Sequence, residues 1–219
     1  WMRAEDIDFD LLPEKFVVKC TNDCGSTVIF RDKSKMNKQQ VVDFLPRHVA
    51  VRYGYDSCEP HYTAIEPRIM AESLIEMDNS DAFSSATTVD HKIRCIDGKA
   101  QYNMVCYDRK LDSGSGGGKT VYDLYDIHTW TPMRQYLADP GVNYRDVPRP
   151  KNLERMIEIA EKIAQGYPQV RVDLYNVNGK IYFGEMTFFA FSGMNNHFTP
   201  EFQRMIGDRI TLPQPLKVL

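Results

Sequence analysis

The stretch from Val170 to Phe188 carries the densest set of side chains able to do chemistry. It reads as two strands, 170–177 and 181–188, meeting at Asn178-Gly179. Side chains alternate along a strand, so Arg171 and Asp173 share one face of the first, and Glu185 and Thr187 share one face of the second. Whether the two sets meet depends on the turn. A two-residue Asn178-Gly179 turn pairs Val177 with Lys180 and puts Asp173 opposite Gly184, with the acids facing apart. A three-residue loop with Gly179 left-handed pairs Val177 with Ile181 and sets Asp173 across from Glu185. In that second register two carboxylates repel unless a proton or cation lies between them, and oxygen-only donors favour Mg²⁺ shared with phosphate oxygens. Arg171 beside them suits neutralising charge on a transferring phosphoryl group. A solvated sheet face accounts for the same hairpin, so other residues must decide.

Lys19 ends a short strand just before the loop Thr21-Asn-Asp-Cys-Gly-Ser26, where a lysine can reach phosphate oxygens while backbone N–H groups cradle the rest. A solvated strand end is the plainer alternative. Ser113-Gly-Ser-Gly-Gly-Gly-Lys-Thr120 resembles the end of a P-loop, but Ser113 stands where that motif wants glycine, and a mobile loop or Gly/Ser linker fits better. His61, His91, His128 and His197 lack metal-ligand spacing, and no Ser or Cys sits in a nucleophile elbow.

The elements that would position these residues are short. Strands are expected at Phe16–Lys19, Thr27–Arg31 and Pro67–Glu76. A helix over 37–53 is expected to break or kink at Pro46. Asp97-Gly98 signals a hairpin between His91–Ile96 and Lys99–Tyr107. Residues 108–150 show no sustained periodicity and read as a long connection. In Asn152–Gln165 an apolar stripe of Leu153, Met156, Ile157, Ala160, Ile163 and Ala164 marks the clearest helix, stopped by Gly166. The pattern is α+β: two lobes with antiparallel sheets, 1–76 and 77–219, enclosing a cleft.

A chain of 219 residues, 42% hydrophobic and 26% charged, can bury a real core. With 27 basic against 30 acidic side chains the net charge is −3, which argues against nucleic acid as the chief partner and favours small molecules. The five cysteines are scattered without CxxC spacing, so neither a disulfide framework nor a zinc site is indicated, and a reducing cytoplasm is expected. No apolar run is long enough to span a bilayer. The chain opens at Trp1-Met2, consistent with an upstream segment.

These residues resemble the TupA-like ATP-grasp proteins of teichuronopeptide and bacterial surface-polysaccharide biosynthesis. The similarity runs through Ile7-Asp-Phe-Asp-Leu-Leu-Pro13, Phe16-Val-Val-Lys-Cys20, Gly25-Ser26, Asp32-Lys-Ser34, Pro67-Arg-Ile-Met-Ala-Glu72, Asp90-His-Lys92 and Asp97-Gly-Lys99. It is strongest at Pro150-Lys-Asn-Leu-Glu154 and across 170–188, and it closes at Gly207-Asp-Arg-Ile-Thr-Leu-Pro213. Family members usually carry a further N-terminal portion.

The resemblance implies an ATP-grasp fold with its nucleotide cleft between the lobes. It also implies Lys19 on the α/β-phosphates, Gly25 and Ser26 in the flexible loop over them, and Glu72, Ser73 and Ile75 holding adenine in the hinge. Lys92 would lie near the phosphates, Arg171 would face the transferred group, and Asp173, Glu185 and Thr187 would hold magnesium. Thr187 stands where many ATP-grasp enzymes have asparagine, and the phosphate loop has few glycines. The activity implied is an ATP- and Mg-dependent carboxylate–amine ligase working through an acyl phosphate. Its substrates would be a small carboxylate and an amine derived from sugars or amino acids, with association with polysaccharide-assembly enzymes. A sugar kinase, or a non-catalytic nucleotide-binding subunit of an assembly complex, uses the same residues.

Overall fold

The computed structural model describes residues 1–76, 83–85, 87–109, 120–139 and 141–212. The Gly/Ser run 113–119 and Pro213 of the closing motif lie outside them. The chain divides into two compact units, Trp1–Ile75 and Glu76–Leu219.

In the first unit, β1 (Phe16–Cys20), β2 (Val28–Phe30) and β3 (Ile69–Ser73) form an antiparallel sheet in the order β2-β1-β3. Helix α1 (Lys38–Val49) starts where the Asn37 side chain accepts from the Gln40 amide, and it buries Val41 and Leu45 in a core with Phe16, Val18, Cys20 and Ile69. The expected break at Pro46 does not occur. Pro46 lies in the last turn, so the bond to the Val42 carbonyl that it cannot make is lost near the helix end, and its own carbonyl still accepts from Ala50 at 3.1 Å. A single turn, α2 (Tyr53–Asp56), follows.

In the second unit, β4 (Asp90–Ile96), β5 (Lys99–Tyr107), β6 (Val121–Asp126), β7 (Gln169–Val177) and β8 (Lys180–Thr187) form an antiparallel sheet in the order β6-β5-β4-β7-β8. One face buries Ile93, Cys95, Val105, Val170, Val172 and Leu174 with Leu153, Met156 and Ala160 of α3 (Leu153–Ile163). On the other face Tyr102, Met104 and Leu124 pack with Phe198 and with Phe202 of α4 (Pro200–Gly207). Asp97 and Gly98, at φ 47° and 74°, make the tight turn their sequence signals.

β6 corrects the reading of 108–150 as a connection without regular structure. Its acid Asp123 breaks any apolar pattern yet is fully buried. Arg134 clamps that carboxylate, Nε at 3.1 Å from each oxygen and Nη2 at 2.8 Å from Oδ2, and the Tyr125 hydroxyl donates to it at 3.0 Å. Hydropathy along a strand cannot show a partner eleven positions away. Among the described residues no helix is long and apolar enough to cross a membrane.

Candidate functional site

The hairpin β7–β8 reaches its register by neither route expected on its own. Asn178 and Gly179, at φ 52° and 74°, make a two-residue turn, and Val177 pairs with Lys180. Continued unbroken, that register would leave Asp173 opposite Gly184. The ladder shifts instead between Leu174, paired with Phe183, and Asp173, paired with Glu185, so Gly184 is the extra residue of a β-bulge. The expectation that facing acids need a three-residue loop is therefore corrected. A glycine suits this position because an added Cβ would lie 3.1 Å from the Asp173 carbonyl oxygen and 3.2 Å from the Tyr175 ring. At the hairpin's tip, the Asn152 amide before α3 donates to the Gly179 carbonyl at 3.1 Å, and Asn176 donates to Asn152 in turn.

Arg171 spans the two acids. Its Nε donates to Asp173 Oδ1 at 2.7 Å and its Nη2 to Asp173 Oδ2 at 2.9 Å and Glu185 Oε1 at 2.7 Å. The Thr187 hydroxyl donates to the same Glu185 oxygen at 3.0 Å. From β4, whose Lys92 pairs in register with Asp173, the Lys92 ammonium bonds Asp173 Oδ2 and sits 2.7 Å from Asp90 Oδ2. Arg109 also bonds Asp90 Oδ2 and donates to Cys106 Sγ at 3.4 Å. Three carboxylates thus interleave with three cations on one sheet face. Asp173 is 2% exposed, whereas the Glu185 side chain is 52% exposed and forms the solvent edge of the group.

Burial disfavours the Lys92 ammonium, but Asp90 and Asp173 outweigh it and hold its pKa above the ordinary lysine value. Burial would likewise lift Asp173, yet Lys92 and Arg171 hold its carboxyl below the usual range. Arg171 is desolvated as well, and Asp173 and Glu185 keep its pKa raised. The charges of Lys92, Arg171 and Asp173 are therefore held by their neighbours rather than by water. One atom is left over: Asp90 Oδ1 is buried with no hydrogen-bond partner among the described residues.

By donor chemistry alone the set suits a magnesium ion shared with phosphate, while in this structure Arg171 and Lys92 engage both Asp173 oxygens and Arg171 and Thr187 engage Glu185 Oε1. Asp173, Glu185 and Thr187 offer only oxygen, and among the described residues no group of three or more His, Cys, Asp or Glu side chains could cage a metal alone. Remaining ligands would have to come from phosphate and water. Asp90 and Arg109 were not singled out from the sequence. Asp90 was within reach, because it lies two residues before Lys92 and so on the same strand face; Arg109 follows the end of β5 with no periodic signal.

The other candidates belong to the first unit. Lys19 pairs in register with Met70 and Glu72 with Val17, a diagonal arrangement that brings Lys19 Nζ to 2.7 Å from Glu72 Oε1. Ser73 pairs with Phe16, and Ile75 is the last residue of the unit. Gly25 has φ 134° and open space where a side chain would stand. Ser26 is buried, its hydroxyl accepting from the Cys20 amide at 2.8 Å and donating to Asp23 Oδ1 at 2.5 Å. That hydroxyl is committed inward, so Ser26 can offer a ligand its backbone rather than its side chain.

Comparison with known proteins adds the family. No curated protein matches the sequence. Among solved structures, D-alanine–D-alanine ligase from Bacillus anthracis complexed with ATP is similar at 14% identity and a TM-score of 0.45, covering 93% of this chain and 50% of that one. This chain thus spans half the length of that ligase. A family model described as TupA-like ATP-grasp matches residues 1–211, nearly the whole sequence. The chain belongs to the TupA-like ATP-grasp family.

Proposed function

We propose that this chain binds ATP with magnesium and uses it to join a carboxylate to an amine, acting in the cytoplasm on small sugar- or amino-acid-derived substrates of bacterial surface-polysaccharide synthesis. The observation that carries the reading is the group Lys92, Arg171, Asp173, Glu185 and Thr187, drawn together from three neighbouring strands in a member of an ATP-grasp family.

Asp173, Glu185 and Thr187 would hold magnesium, which when bound supplies charge neutralisation on the phosphates. Arg171, already fixed by two acids, offers a guanidinium to the equatorial oxygens of the transferred phosphoryl group. Lys92 adds a second fixed positive charge next to it. A carboxylate oxygen of the substrate attacks the γ-phosphorus as the bond to ADP breaks. The amine then attacks the acyl carbon, phosphate leaves, and the amine nitrogen loses a proton, giving an amide, ADP and phosphate. In the first unit, Lys19 and the backbone of Gly25 and Ser26 would meet the phosphates, while Glu72, Ser73 and Ile75 would line the adenine.

The test is mass spectrometry of products from ATP, magnesium and a panel of sugar acids, amino acids and amines. A new amide with ADP and phosphate is expected; a phosphorylated sugar would make the protein a kinase, and nucleotide binding without turnover would make it a non-catalytic subunit. Asp173→Asn and Glu185→Gln should each lower magnesium-dependent turnover about 100-fold or more while circular dichroism stays unchanged. Undiminished turnover in either variant rules out the metal assignment.

A further inference from the structure

We infer that His48 is a positioning residue for the nucleotide's phosphates, acting through Asp23 to dock the loop Asn22–Ser26 against the end of α1; the inference rests on the nucleotide reading above. With only Gly25 free of a side chain, this loop does not owe its shape to glycines. It is tied down side chain by side chain.

The Asn22 amide donates to the carbonyls of His48, Val49 and Val51 at 3.1, 3.2 and 3.3 Å. The His48 and Val49 carbonyls belong to the last turn of α1, where regular intrahelical donors run out, and Val51 lies two residues beyond the helix. Next to it, Asp23 Oδ2 lies 2.5 Å from His48 Nδ1, and since a carboxylate only accepts, Nδ1 carries the hydrogen. The other Asp23 oxygen accepts from Ser26 Oγ, which accepts in turn from the Cys20 amide. The order of the chain is therefore Ser26, Asp23, His48. With the acid between serine and imidazole, and with Ser26 buried, this is no hydrolytic triad: the imidazole cannot take the serine proton.

What the chain does is hold a buried charge in place. The Asp23 side chain is 3% exposed, and His48 and Ser26 are the donors that compensate it. Without the imidazole a buried carboxylate keeps a single hydroxyl donor, and the way to regain solvation is for the loop to lift off the helix. Backbone N–H groups that cradle phosphates do so only while the loop holds its curve. His48 thus governs phosphate binding without a place in the phosphate site.

Calorimetry on the full chain with ATP, and with adenosine as the phosphate-free probe, tests this. His48→Ala should weaken ATP binding about tenfold, the weight of one charge-assisted hydrogen bond, and leave adenosine affinity unchanged. Hydrogen exchange should quicken at residues 22–26, and His48→Asn, which keeps an amide donor near the position of Nδ1, should restore both readouts. Should His48→Ala not fold, His48→Phe fills the ring's place without its donor and should show the same ATP-selective loss. Unchanged ATP affinity, or equal weakening of ATP and adenosine, overturns the role of His48 while leaving the nucleotide reading standing. Failure of the unsubstituted protein to bind ATP overturns both.

Discussion

Neighbouring residues on β4 solve burial in opposite ways. Lys92 keeps its charge because Asp90 and Asp173 flank it, whereas His91 points to the other face, is buried, and among the described residues has Asn103 Nδ2 beside its Nδ1, at 3.1 Å. Burial pushes the His91 imidazole down from 6.5 to about 4. A histidine depressed on folding binds fewer protons folded than unfolded, so its stabilising effect is complete above pH 6.5 and is lost as pH falls toward 4. The loss should amount to about 3 kcal/mol. Urea unfolding at pH 7 and pH 4 checks it: His91→Gln should show that much less pH dependence than the unsubstituted chain. Alternation along the strands set Arg171 with Asp173 and Glu185 with Thr187, the family resemblance brought in Lys92, and the same alternation reaches Asp90. Arg109 escaped because nothing periodic marks a residue beyond a strand's end.

At the scale of elements, the Asp-Gly turn was legible outright, while Asn178-Gly179 marked the place of the other turn but not its length. The bulge was not, because only Gly184 marks it and an isolated glycine in a strand has several explanations. Gly184→Val should cost about 1–3 kcal/mol, as its methyl groups meet the Asp173 carbonyl and the Tyr175 ring. Magnesium-dependent turnover should fall with it, and Asn178→Asp, which keeps a competent turn, should change neither. Denaturant midpoints and turnover of the two variants check the bulge, with Asn178→Asp as the neutral control at the turn. β6 hid for a different reason, its buried Asp123 being satisfied by an arginine from a later segment.

For the whole chain, each unit has a core of its own. Phe16, Val18, Leu45 and Ile69 belong to the first, and Ile93, Val105, Met156, Val172 and Phe202 to the second, with no residue shared between the clusters. A fragment of residues 76–219 should therefore fold alone, with cooperative thermal unfolding and near-ultraviolet dichroism from its buried tyrosines and Trp130. A non-cooperative melt would show that its core depends on the first unit. The α+β composition was readable from short strands and one strong helix.

The hairpin of β7 and β8 separates its tip from its acids. The offset that brings Asp173 to Glu185 sits at Gly184, several residues from the turn, so the register at the acids is the sum of a two-residue tip and one bulged residue. A fluorophore or crosslinker anchored at exposed Lys180 would ride on the same rigid ribbon as the carboxylates, making the tip a handle for watching the site without touching it.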